Sequence, residues 1–144
     1  MGRERLIFLE TLQDTLAFGE KVARTLAPNS ILALSGDLGA GKTSFVQGLA
    51  RGLKIKEMVQ SPTFVTLNLY EAPLPLFHFD LYRLKEGMDF LRLGFDEYFR
   101  KGGVCAIEWP ERIEAILPEE TLWITFSHTN EGGRIAAVGT KKRR

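Results

Sequence analysis

Leu32-Ala33-Leu34-Ser35-Gly36-Asp37-Leu38-Gly39-Ala40-Gly41-Lys42-Thr43-Ser44 is the stretch on which the reading of this chain turns. Residues 36–43 satisfy G-x-x-x-x-G-K-[ST], the P-loop or Walker A pattern. The context is the one the pattern requires. An apolar strand, Ile31 to Leu34, runs in, and Phe45, Val46, Leu49 and Leu53 run out at helical spacing. Glycines let the backbone curl so that successive N–H groups point inward at an anion. The helix that follows adds the positive end of its dipole. Lys42 is placed to reach β- and γ-phosphates, and the Thr43 hydroxyl to bind Mg2+. The bland alternative is a glycine-rich turn without a ligand, and the strand–helix context weighs against it. The stretch predicts a nucleotide-binding protein.

The remaining elements build an α/β fold around it. Leu6 to Leu9 reads as a first strand. Thr11 then opens a helix with Asp14 completing a capping box, and Leu12, Leu16, Gly19, Val22, Ala23 and Leu26 share one face until Pro28-Asn29. After the P-loop helix, Thr63 to Tyr70 alternates like a strand, and Glu71-Ala72-Pro73 turns it into a hairpin with Leu76 to Phe79. Lys85 to Lys101 reads as one or two short helices, with Phe90, Leu91, Leu93, Phe95, Tyr98 and Phe99 supplying core contacts. Val104 to Ile107 is a continuous apolar run, as expected of a central strand covered on both faces. Leu122 to Phe126 and Ile135 to Val138 are the last strands. The expectation is a single-domain P-loop NTPase over residues 1–140, with a central mostly parallel sheet, antiparallel edge strands and flanking helices. Residues 141–144, Lys-Lys-Arg-Arg, form a basic tail expected to be disordered.

Composition limits the function classes. At 144 residues the chain has room for one core but not for a second module. Its net charge of +1 argues against capture of nucleic acid by the whole surface, although a local basic patch remains compatible. Cys105 is the only cysteine and lies in an apolar run, so a buried thiol and a reducing, cytoplasmic setting are expected. The N-terminus lacks a signal-peptide apolar run, and no stretch approaches membrane-spanning length.

Hydrolysis needs more than a phosphate cradle: Mg2+ must be organised and a water oriented. Asp80 closes the run Leu76 to Phe79, and Glu108 closes Val104 to Ile107. In open α/β sheets the carboxyl ends of parallel strands converge on the ligand crevice, so both acids are candidates for one metal. Spacing does not decide which of them touches it. Glu108, after the more deeply buried run, is favoured as direct ligand, with Asp80 as a second ligand or the group that orients water. Thr63, in the loop after the P-loop helix, is a candidate γ-phosphate sensor. His78 is read first as a partly buried structural residue, Arg83 as a salt-bridge partner before a catalytic one, and Trp109 as core packing before a site residue. No Asn-Lys-x-Asp tetrad for reading guanine occurs, so ATP is favoured.

Taken together, residues 36–43, Ser61-Pro62-Thr63-Phe64, His78-Phe79-Asp80-Leu81-Tyr82-Arg83 and Glu108-Trp109-Pro110-Glu111 closely resemble the TsaE (YjeE) family from about Leu6 to Val138. The resemblance implies a small Mg2+-dependent ATPase that acts with the TsaB and TsaD proteins, and through them on tRNA, to install threonylcarbamoyladenosine. It implies that Lys42 and the loop (Asp37, Gly39, Ala40, Gly41, with Thr43 and Ser44) hold ATP phosphates. Thr43 and Glu108 would hold Mg2+, with Asp80 nearby, while Thr11 and Arg134 would approach the adenine. The competing readings are a small-molecule kinase using the same P-loop and a non-hydrolysing nucleotide-gated module. A kinase would need an acceptor pocket and an arginine-bearing lid, and the chain shows neither clearly.

Overall fold

A strand that is apolar on both faces belongs in the middle of a sheet, and the strand before the phosphate loop is found there. In a computed structural model, which describes residues 4–37, 41–59 and 67–140, seven strands form one sheet in the order β1-β7-β6-β2-β5-β4-β3. They are β1 Arg5–Leu9, β2 Ile31–Ser35, β3 Leu67–Tyr70, β4 Leu76–Asp80, β5 Val104–Glu108, β6 Leu122–His128 and β7 Arg134–Gly139. The inner four, β6, β2, β5 and β4, are parallel, and both edges are antiparallel. The expected hairpin is β3–β4. The part of its first strand placed at residues 63–66 lies outside the described residues, as do the Ser61-Pro62-Thr63 loop and the basic tail.

Helices cover both faces. On one face, α1 Leu12–Ala23 and α2 Lys42–Gly52 close over Leu32, Leu34, Leu76, Ala106, Ile124 and Phe126. On the other, a short helix α3 Gly87–Arg92 and two 3-10 segments, Phe95–Arg100 and Pro110–Ile116, cover Ile31, Phe77, Phe79, Cys105 and Ile107. Burial pushes the Cys105 thiol up to about 12, which makes it inert as a nucleophile at neutral pH.

The α1 N-cap forms as read: Thr11 Oγ1 accepts from the Asp14 amide at 3.1 Å, and the Thr11 amide donates to Asp14 Oδ2 at 3.1 Å. Three local expectations need correction. The helix ends at Ala23, before Pro28-Asn29, because the chain tightens into turns after Arg24. Leu12 is exposed, and Phe18, with its ring 5.3 Å from Phe45, takes a buried place instead. Leu91 and Leu93 also face outward, because α3 has only six residues and the chain turns at a left-handed Gly94.

The two long helices meet through glycines. A Cβ at Gly48 would sit 2.1 Å from the Leu16 carbonyl oxygen, and one at Gly19 would sit 2.4 Å from that of Phe45. Neither obstacle is a side chain that can swing away. Gly48→Ala is therefore expected to destabilise by about 2–3 kcal/mol through overpacking, against roughly 1 kcal/mol gained in helix propensity. Urea denaturation reads this as a lower midpoint at unchanged slope. An unchanged or higher midpoint would mean that the helices separate at little cost.

Candidate functional site

Parallel strands end together, and their last residues are chemically the most distinctive here. Register pairs Asp80 of β4 with Glu108 of β5, and Glu108 in turn with Leu34 of β2. The two predicted acids thus stand side by side at the carboxyl edge, one residue position from the point where β2 enters the phosphate loop. Both lie on the α1–α2 face by strand alternation. Glu108 is buried, at 4% exposure, and Asp80 partly so.

Lys42 opens α2 and turns back toward the same edge. Its Nζ donates to the Gly36 carbonyl at 2.7 Å and stands 4.2 Å from the centre of the Trp109 ring. The side chain is only 4% exposed. Burial lowers its pKa, although Glu108, Asp80, Glu111 and Asp37 pull in the opposite direction. Asp80 is displaced the other way. Burial raises its pKa and Glu108 adds to the rise, while the Tyr82 amide, donating to Oδ1 at 3.0 Å, His78 and Lys42 oppose it. Lys42 thus stands among several acids in a partly dry crevice.

Trp109 packs against the core cluster beneath the second face, as expected, and its ring also meets Lys42 Nζ. It directly follows Glu108, adopts the left-handed conformation at φ 59°, and sets its ring 5.0 Å from that of the half-exposed Tyr82 at a tilt of 52°. Such a conformation is uncommon for a bulky residue. Here the indole lies under the lysine while packing against the core. Two more side chains make contacts that local spacing does not announce. Ser35, the last residue of β2, donates its hydroxyl to Glu111 Oε2, tying the entrance of the phosphate loop to the segment after β5. His78, expected to be partly buried, is wholly buried, with Nε2 at 2.6 Å from Glu108 Oε2.

Arg134 lies across the far end of the loop. A Cβ at Gly41 would fall 2.9 Å from Arg134 Cδ and 3.8 Å from Thr15 Cγ2. The structure thus brings Arg134 to the loop and adds Thr15, one helical turn beyond Thr11; Thr11 itself is occupied as the α1 cap. Gly41, at φ 109°, opens α2 in a conformation that only glycine adopts readily. Thr43 and Ser44 occupy the first turn of α2, and Asp37 is exposed at the end of β2. Gly39, Ala40 and Thr63 lie outside the described residues.

Among the described residues no group of three His, Cys, Asp or Glu side chains forms a metal cage of its own. What the site offers is a set of hard oxygens: two adjacent carboxylates and a threonine hydroxyl at a helix start. That set suits Mg2+, which is commonly held by one or two carboxylates plus substrate phosphates. Nor, among these residues, is any helix long and apolar enough to cross a membrane.

Comparison with known proteins identifies the family. The family model described as threonylcarbamoyl adenosine biosynthesis protein TsaE matches residues 9–136. A Treponema pallidum protein named tRNA threonylcarbamoyladenosine biosynthesis protein TsaE is 46% identical over 126 residues, covering 88% of this chain and 93% of its own. A Bacillus subtilis protein of the same name is 41% identical over 133 residues, covering 90% and 83%. The crystal structure of Bacillus subtilis YdiB superposes with a TM-score of 0.84 at 36% identity, covering 96% of this chain and 86% of that one.

Proposed function

The chain belongs to the TsaE family, and from that premise we propose that it is the Mg2+-dependent ATPase of tRNA threonylcarbamoyladenosine biosynthesis, hydrolysing ATP to ADP and phosphate to drive or reset a TsaB–TsaD assembly. The observation that carries this reading is the convergence of Lys42, Asp80 and Glu108 at one strand edge. The relatives' names supply the pathway, and the motif resemblance supplies the partners.

In this reading Lys42 exchanges the Gly36 carbonyl and the Trp109 face for the β- and γ-phosphates. Those two contacts hold it ready within the crevice. Thr43 and Glu108 would hold Mg2+, and Asp80 would be a second ligand or would orient the attacking water. When bound, the metal supplies charge neutralisation on the phosphates. The N–H groups of the loop and the start of α2 receive the phosphate oxygens. The acids beside Lys42 leave little room for a second anionic substrate, which favours water as acceptor.

Phosphate release with ATP and Mg2+, measured alone and after adding TsaB and TsaD proteins, tests the whole reading. Low turnover alone and a marked rise with both partners is the expected result. Phosphate appearing on a small acceptor instead would replace it with a kinase. Arg134 carries a separate expectation. Arg134→Ala is expected to weaken ATP binding roughly tenfold, about the value of one charge-assisted contact. Calorimetry reads it, and unchanged affinity would remove Arg134 from the nucleotide site.

A further inference from the structure

Below the strand-end carboxylates lies an imidazole that phosphate binding does not require. His78 is fully enclosed, at 0% exposure. By alternation it shares the face of β4 that presents Leu76 to the α1–α2 layer. Its partner across the strand pair is Ala106, and Glu108 stands two residues further along β5. Diagonal neighbours of this kind are within reach of a long side chain. The small Ala106 leaves the diagonal open, and Nε2 of His78 meets Oε2 of Glu108 at 2.6 Å. A carboxylate that ligates a metal only accepts, so in the Mg2+ reading the ring nitrogen is the donor.

The other ring nitrogen is informative. His78 Nδ1 is buried without a hydrogen-bond partner among the described residues. A residue needed only to fill this apolar layer would be leucine or phenylalanine, with no polar atom left unmet. Among the described residues, the contact of Nε2 with Glu108 is what stands against the cost of that nitrogen.

Building on the Mg2+-ATPase reading, we propose that His78 is a positioning residue that holds Glu108 for the metal. Its Nε2–H engages Oε2 and fixes the plane of the carboxylate, so that Oε1 is presented in one orientation at the phosphate-loop edge. Without it, Glu108 would have to be ordered by the metal itself, and metal affinity would carry that entropy cost. Partners of ligating groups typically alter metal affinity by roughly 10- to 100-fold.

Two substitutions separate positioning from packing. His78→Asn keeps a polar group but places its amide near the old Nδ1, short of Glu108, whereas His78→Gln extends an N–H toward the old Nε2. ADP affinity is measured by calorimetry in Mg2+ and in EDTA for each folded variant. The Asn variant is expected to lose roughly 10- to 100-fold of the Mg2+-dependent gain in affinity, with affinity in EDTA close to wild type. The Gln variant is expected to recover part of that gain. If the Asn variant does not fold, His78→Phe, which keeps the ring volume, takes its place with the same expectation. A variant lacking the donor that keeps the full Mg2+ effect, or loses affinity equally in Mg2+ and EDTA, would overturn the proposal and leave His78 as packing. Wild-type protein whose ADP affinity ignores Mg2+ would overturn the Mg2+ reading of the site itself, and the proposal with it.

Discussion

Lys42→Met is expected to cut ATP turnover by about 10²–10³-fold or more while leaving the protein at least as stable as before. The loss of turnover follows from removing the lysine placed to stabilise charge on the transferred phosphoryl group. The stability follows from what the folded chain asks of that cation. Lys42 is almost fully buried, and burial outweighs the attraction of Glu108, Asp80, Glu111 and Asp37, so its folded pKa lies below the ordinary 10.5. A lowered lysine pKa means that the protonated form costs stability at any pH below the folded value. The cost fades as pH rises through that value toward 10.5. Methionine retains most of the apolar stem and removes the charge. Part of the gain is offset, because the neighbouring acids lose a counter-charge. Phosphate release and thermal melts at neutral and alkaline pH measure both effects, and the stability difference should shrink as pH rises. A Tm drop of more than about 5 °C, on the order of 1–2 kcal/mol at this chain length, would instead make Lys42 a structural residue.

The sequence announces the parts of this site that depend on local pattern. The strand before the phosphate loop, the helix after it and the two acids ending apolar runs are all readable from spacing, and the paired register of Asp80 with Glu108 follows from parallel strands ending together. What could not be read is what crosses the sheet. Ser35 and Glu111 are 76 residues apart, and His78 and Glu108 are 30 apart. Periodicity says nothing about which polar groups meet over such distances. Trp109 shows the same limit in another form. Its ring packs on the core as expected, but Lys42, 67 residues earlier in the chain, also lies over it, and no local pattern announces that second contact. Leu12, Leu91 and Leu93 show the opposite failure: the helical period was sound, but the elements were too short, or the position too near an end, for each apolar residue to find cover.

Glu108→Gln and Asp80→Asn are expected to diverge, and the divergence assigns the two carboxylates. Glutamine matches glutamate in shape, and its side-chain oxygen can still accept from His78 Nε2. The fold should therefore persist while the charge is lost. If Glu108 holds Mg2+ directly, turnover falls by about 10³-fold, and ATP binding loses its Mg2+ dependence. Asp80→Asn tests the second place. Retained Mg2+-dependent binding with lost turnover makes Asp80 the group that orients water, whereas loss of both makes it a metal ligand. Stability supplies an independent check. Burial and the adjacent Glu108 raise the Asp80 pKa, so its ionised form costs stability above the folded pKa, and the cost is relieved as pH falls through that value toward the ordinary 3.8. In EDTA, Asp80→Asn should accordingly be more stable than wild type near neutral pH, with the advantage fading on acidification. Full turnover in Glu108→Gln would move the metal to Asp80 and leave the buried His78–Glu108 pair a feature of the core alone.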